Sequence, residues 1–342
     1  MRPPDRLRAM GRALLFRRSL SLLLVLLVFG GIMTAAYPDI FLSRYNFSSI
    51  LLNMSFDVMV VVGMTILLIG GEVDLSVGWN LSMSGVIYAL LMTRLNLPLA
   101  VALPVTLAIG AACGALVGWI VAYVGVNSFI ATLAAGLVYY GVEFWLAGGQ
   151  SVTHLGPEVT SIGMASWLGQ QLPVWYAAGV VVVFLYLMNR TKAFRQYTYI
   201  GMNAQVARYS GIPVARMKLL AFVISSVLAS FAGLISAARF ANAILLVGQG
   251  MELKAITAAM VGGISFTGGV GTLAGALLGT LFIALVNNAM IIATINAFWQ
   301  PIFIGVVLLG AVVLDVVLLR VGSSVGRTRP TSKAAQPPAA PE

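Results

Sequence analysis

The chain of 342 residues is 60% hydrophobic and only 9% charged, more apolar surface than the interior of a soluble domain can hide, so it falls in the polytopic membrane class. Its net charge of +10 is not a nucleic-acid signature, because the bases gather at the ends of apolar runs and in the tails, where they read as topology signals and contacts to anionic lipid. A single cysteine, Cys113, excludes an internal disulfide and a thiolate metal site, and a single histidine, His154, excludes a histidine metal cluster.

Residues 1–18 carry six arginines and one aspartate ahead of an apolar run to Tyr37. A signal peptide is one reading; an uncleaved first span is preferred, because no small-x-small cleavage site follows and Pro38 ends the run. Further apolar runs at 50–69, 77–93, 98–123, 128–147, 173–189, 219–240, 253–264, 272–293 and 300–319 make ten candidate spans. Most are close to the ~20 residues that a bilayer requires. The eighth is short and ends in glycines, so a broken or re-entrant helix is expected there. With the N-terminus inside, residues 1–18, 190–218 and 320–342 become cytoplasmic and hold 16 of the 20 Lys and Arg; Arg44, Arg94, Arg239 and Lys254 fall outside. The Pro-, Ser- and Ala-rich tail at 321–342 is expected to be disordered. The longest outer loop, 148–172, carries His154 and Glu158, read as surface residues, and Trp167, near the membrane interface like Trp175; a short interfacial helix is expected over Val159 to Leu168.

The segment 190–218 is the one long polar interruption, with six bases and no acid. It is either a solvated connector or a short helix, Met202 to Ser210, lying across the cytoplasmic mouth and stopped by Gly211 and Pro213. None of the four lysines follows a glycine, so no phosphate-binding P-loop is present, and neither H-E-x-x-H nor G-x-S-x-G occurs. A G-x-G-x-x-A match at Gly269, Gly271 and Ala274 lacks the preceding strand and the following acid of a dinucleotide site.

Gly110, Gly114 and Gly118 recur every four residues in the fourth span, as do Gly271, Gly275 and Gly279 in the ninth, a spacing that lets another helix approach closely. Two breaks, Gly70-Gly71 and Gly262-Gly263, lie 192 residues apart and hint at two weakly related halves. Polar groups at membrane depth must face the bundle interior or a partner. Asn53, Asp57, Asn287 and Asn288 lean toward a polar cavity; Glu72 and Asp74, beside two glycines, toward capping a broken helix; Glu143 and Asp315 are further buried charges.

Four blocks carry a family resemblance. GGEVDLSVG at 70–78 is similar to the GG-x-DLSVG signature of the permease subunits of ribose-type ABC sugar importers. VNSFIATLAAG at 126–136 resembles that family's P-S-F-I-x-T-L, with Asn127 in place of proline. The segments 200–218, with Val206 where alanine is usual, and 251–279 resemble its G-x-N-x-x-A-A-R-x-S-G-I and E-L-x-A-I-A-A blocks. The resemblance implies an all-α membrane domain of about ten helices, with both termini cytoplasmic, in a bacterial inner membrane. It implies a second permease chain, a separate ATPase holding ATP and Mg, an extracytoplasmic solute-binding protein, and no cofactor, metal or catalytic residue on this chain. Coupling to the ATPase would fall to Gly201, Asn203, Ala207, Arg208, Ser210 and Gly211; apart from the resemblance, Asn53, Asp57, Glu72, Asp74, Ser76, Asn127, Ser128, Thr132, Asn287 and Asn288 are the candidates for pathway or helix-break roles. A proton-coupled secondary transporter using Asp57 or Glu143, and a branched-chain amino acid importer permease, are the alternatives.

Overall fold

A computed structural model describes the backbone of residues 3–327 except His154, and the side chains of residues 20–316 with the same exception. The expectations for His154, for the arginine side chains of 1–18 and for the tail beyond residue 327 therefore lie outside the described residues.

Among the described residues the regular structure is helical apart from a hairpin of two-residue strands and an isolated bridge between Val152 and Ala243. In order run α1 (Pro3–Ala36), a single turn α2 (Pro38–Phe41), α3 (Arg44–Ile69), α4 (Val77–Thr93), α5 (Leu99–Trp119), α6 (Ser128–Ala147), α7 (Pro157–Met164), α8 (Leu172–Arg190), α9 (Lys192–Met202), α10 (Ala204–Tyr209), α11 (Val214–Phe240), α12 (Met251–Val261), α13 (Leu273–Ile292) and α14 (Trp299–Arg327). Among the described residues seven helices are long and apolar enough to cross a membrane; α4 and the described part of α1 are shorter apolar helices. α12, with 11 residues, reaches only about 16 Å, half of a bilayer core, so the eighth apolar run is a half-span that its break at Gly262 ends.

α3, α4 and α11 form the centre and are buried over much of their length, so apolar residues predominate all round them and their polar groups pair inside the bundle. α5 lies along α11, α6 along α4, and α8, α12 and α13 surround α3. Peripheral α8 and α14 expose leucines and valines, the surface that lipid solvates.

Three local expectations are corrected. The outer-loop helix stops at Met164, not Leu168, because residues 166–171 form a hairpin, β1 (Ser166–Trp167) with β2 (Gln170–Gln171), turned by Leu168 and Gly169, both at positive φ. The helix expected from Met202 to Ser210 is two helices, α9 and α10, interrupted at Asn203. Gly271 is not on the face of the ninth span: it precedes α13, in a loop at φ 140.

Candidate functional site

The two glycine pairs end their helices in the same way. Gly70 caps α3 with a right-handed φ of −78, Gly71 turns left-handed at 78, and the Gly71 and Glu72 N–H groups donate back to the Leu68 and Leu67 carbonyls. Gly262 caps α12 at −67, Gly263 turns at 93, and the Gly263 and Ile264 N–H groups donate to Met260 and Ala259. This is one Schellman motif used twice, and a residue with a Cβ would strain at Gly71 or Gly263. Beyond the first pair the chain is extended and must find partners for its N–H groups. Val73 donates to the Ser128 hydroxyl at 3.4 Å and Leu75 to the Thr132 hydroxyl at 3.0 Å, both in the first turns of α6. Asn127 caps that helix by accepting from the Phe129 N–H. The Asp74 carboxylate takes both the Ser76 N–H and its hydroxyl, at 2.8 and 2.6 Å; burial raises its pKa, and these two bonds oppose the rise. Glu72 pairs with Lys218 at the start of α11. Glu72, Asp74, Ser76, Asn127, Ser128 and Thr132 thus stitch a helix break to α6 and α11, and none of them lines the large cavity described below.

The polar segment meets both breaks. Gly201, the penultimate residue of α9, lies against the Ile69 carbonyl and the Gly269 N–H; Gly268 in turn lies 2.8 Å from Gly71 Cα, counted from an added Cβ. Gly269 donates to the Ile69 carbonyl at 2.8 Å, joining the α12–α13 loop directly to the end of α3. Backbone therefore touches backbone from three elements, an approach only glycine permits. Next to it Tyr197 of α9 is buried, with its hydroxyl unpartnered among the described residues. Burial and then the nearby Glu72 push its phenol far above the ordinary range.

α10 projects from this junction. Asn203 caps it, its side-chain oxygen accepting the Gln205 and Val206 N–H groups at 3.0 Å each. Gly211 closes it at φ 79, and Ser210 bonds back to the Val206 carbonyl. Ala207 faces inward, 3% exposed, in a cluster with Tyr197, Val214 and Phe222. The outward face is Val206, Arg208 and Tyr209.

The first glycine row faces α11: Gly110 lies against Ser230, Gly114 against the Phe222 carbonyl, and Gly118 against Leu219. Gly275 and Gly279 lie against the backbone of α12 at Gly262 and Ala258. Between them runs a polar ladder that pattern reading missed. Asn80 donates to the Ser226 carbonyl at 2.9 Å, and Ser84 bonds Ser230 at 2.8 Å, all fully buried. The signal was available, since Asn80 with Ser84 and Ser226 with Ser230 each sit four apart on one helix face. Glu143, fully buried on α6, accepts the Leu246 N–H at 3.1 Å and fixes that residue at positive φ; Asp315 on α14 accepts from Ser265 and Phe266 in the second break.

At the end of the bundle remote from Gly201 opens a cavity of about 780 Å³. Asn53, Asp57, Asn287 and Asn288 all line it, with Gln249, Lys254 and Gln300. Lys254 of α12 contacts both Asp57 oxygens, at 2.8 and 2.7 Å. Asn288 is committed to a reciprocal pair with Asn46 at 2.6 and 3.2 Å. The structure thus sorts the ten pathway or helix-break candidates into four at this cavity and six at the first break. Among the described residues no cluster could hold a metal ion.

Comparison with known proteins adds identity to this geometry. Residues 46–312 match the family described as branched-chain amino acid transport system / permease component. The chain is 33% identical to the L-arabinose transport system permease protein of Escherichia coli strain K12 over 82% of this chain and 85% of that protein. It is 35% identical to the ribose import permease protein of Haemophilus influenzae over 89% and 94%, and 32% identical to the D-allose transport system permease protein of Escherichia coli strain K12 over 86% and 89%. No solved structure matches the chain.

Proposed function

The chain belongs to the ribose-type permeases of ABC sugar importers, and from that premise we propose that it forms the path by which an importer passes a sugar or sugar-like solute across the bacterial inner membrane. The observation that carries the reading is that, within a family described by its branched-chain amino acid permeases, the curated relatives matched over 82–89% of the chain are permeases for arabinose, ribose and allose. Energy comes from a separate ATPase, since this sequence contains no Gly-Lys phosphate loop. An extracytoplasmic binding protein delivers the solute, and a second permease chain completes the path. Residues 190–218, with 6 of the 20 bases, face the cytoplasm, as do both termini.

In this scheme α10 seats on the ATPase through Val206, Arg208 and Tyr209, while Gly201, Asn203, Ser210 and Gly211 shape and anchor it. ATPase closure pushes α10; α9 passes the push to Gly201, where the ends of α3 and of the α12–α13 loop meet. Alternating access follows because the two glycine-capped breaks shift as one unit. A proton carrier at Asp57 fits less well, since Lys254 already neutralises that carboxylate.

The test is ATP-driven uptake. The tagged chain, purified with its partners and placed in proteoliposomes, is expected to accumulate at least one of radiolabelled D-ribose, L-arabinose or D-allose when ATP is supplied to the ATPase side, with or without an uncoupler. Arg208→Glu is expected to lower ATPase retention about tenfold, as loss of one charge-assisted contact does. Uptake abolished by the uncoupler, with undiminished ATPase retention in the variant, would sink the reading.

A further inference from the structure

We propose that the chamber between α3, α12, α13 and α14 is where this chain itself handles its cargo, seating a neutral polyhydroxyl molecule on side-chain amides above the Asp57–Lys254 pair. The inference rests on the importer reading and adds the residues that touch the solute.

The chamber's size, about 780 Å³, lies within the range of small-molecule sites and leaves room for a monosaccharide with water. Its polar groups are unusual for their depth. Asn53 is exposed along a membrane helix, with only a long 3.5 Å contact to Ser49. The Asn287 side-chain oxygen is buried and has no partner among the described residues. A buried amide oxygen left unpaired is unfavourable, so the site favours an occupant that can donate hydrogen bonds. The adjacent Asn288 shows the contrast: it spends its amide on Asn46 and holds α13 to α3. Gln249 and Gln300 add two more amides, from the α11–α12 loop and the start of α14.

The ion pair sets the class of solute. Lys254 bridges both Asp57 oxygens, so the chamber offers adjacent acceptor and donor groups with no net charge. Sugar hydroxyls suit both. An anionic sugar acid would confront Asp57 and an amino sugar Lys254, an unpaired-charge penalty that discriminates against each. The pair also closes the floor. Directly beneath it, the seam among Val60, Val61, Ala255, Ala258, Thr280 and Ile283 has no room for a water molecule. The seam lies between α3, α12 and α13, and the far end of α3 meets the α12–α13 loop at Gly201.

The test is protection from labelling. The full chain carrying Cys113→Ala and Ile304→Cys, a chamber-lining position outside the proposed contacts, is placed in phospholipid nanodiscs and reacted with N-ethylmaleimide. D-ribose, L-arabinose and D-allose are the neutral probes, D-gluconate and D-glucosamine the charged ones, and Thr198→Cys marks a remote control site. At least one neutral sugar is expected to slow labelling about tenfold at roughly ten times its Kd, by mass action, with no effect at the control. The charged probes are expected to be inert. Asp57→Asn with Lys254→Gln, which removes the pair without stranding a charge, is expected to abolish protection; Asn287→Ala is expected to weaken it about tenfold in sugar concentration, as for one lost hydrogen bond. Labelling that no neutral sugar slows, or that the charged probes slow equally, overturns the proposal. Uptake by the complete complex without protection overturns the chamber alone, whereas protection without ATP-driven uptake overturns the importer reading and leaves the chamber standing.

Discussion

The two ends of this bundle are joined by the same helices yet built on opposite principles. Around Gly201 three stretches of backbone touch, their N–H groups are spoken for, and a buried phenol fills the remaining space. Around Asp57 the helices stand apart, amides line an open chamber, and one amide oxygen has no protein partner among the described residues. Each end carries one ion pair, Glu72 of the break after α3 to Lys218 and Asp57 of α3 to Lys254, with nearly equal exposure. The difference teaches where rigidity is needed. A junction that transmits a push must not yield, so small residues and satisfied backbone bonds are concentrated there, whereas a chamber that admits a solute must keep polar groups free.

The largest effect that can break this comparison is expected at Gly201. A side chain there meets the Ile69 carbonyl and the Gly269 amide, which cannot rotate away as a side chain would. Gly201→Leu is expected to cost about 3 kcal/mol, the upper end of overpacking, and to appear as loss of the monodisperse chain on detergent size exclusion. Gly141→Leu, on a face of α6 with nothing within 4 Å, is expected to change stability by less than about 0.5 kcal/mol. Equal behaviour of the two variants would mean that the junction is loose.

The ion pairs sharpen the contrast. Glu72→Gln strands Lys218 beside the closed break, and about 2 kcal/mol is expected, below the value for a fully buried pair because Lys218 is partly exposed. Asp57→Asn strands Lys254 at the chamber, where water can solvate it, and about half that loss is expected. Thermal unfolding of both single variants, and of Glu72→Gln combined with Lys218→Met, measures the difference. A larger loss at Asp57 would reverse the assignment of tight and open ends.

Much of this was legible in the sequence, because lipid imposes long apolar runs and glycine pairs punctuate them. The spans, the half-span ending at Gly262 and the polar interruption all follow from that. What could not be read is who meets whom. Glu72 and Lys218 are 146 residues apart, Asp57 and Lys254 197, and no local pattern links them. Asn53, Asp57, Asn287 and Asn288 were marked as a group by depth alone, and all four line one cavity. Depth could not say that Asn288 is a strut between helices while Asn287, on the same chamber wall, keeps a buried oxygen with no partner among the described residues. Ala207 was illegible for a different reason: small size fits an outer face and an inner core equally, and only the cluster with Phe222 decides.

The smallest expected effect is at Asn203, where the rigid end hands over to the projecting helix. Met202 to Ser210 reads as a single helix because every residue there tolerates one, yet an asparagine ahead of Ala-Gln-Val can also be a cap. In the structure it is one: Asn203 leaves helical geometry at φ −163 and ψ 104, and its oxygen takes two N–H groups of α10. A helix of six residues has little intrinsic stability, so the cap carries much of the order of α10. Asn203→Ala is expected to cost about 1 kcal/mol locally, while the global unfolding midpoint stays within about 1 °C of the parent, because α10 buries only Ala207. Hydrogen exchange at 204–209 is expected to quicken about fivefold and ATPase retention to fall with it, whereas Asn203→Asp, which keeps the acceptor, retains both. If Asn203→Ala leaves exchange at 204–209 unchanged, the order of α10 comes from its packing on Phe222 and Val214, and the boundary between the rigid and projecting parts lies one turn further along the chain than the cap places it.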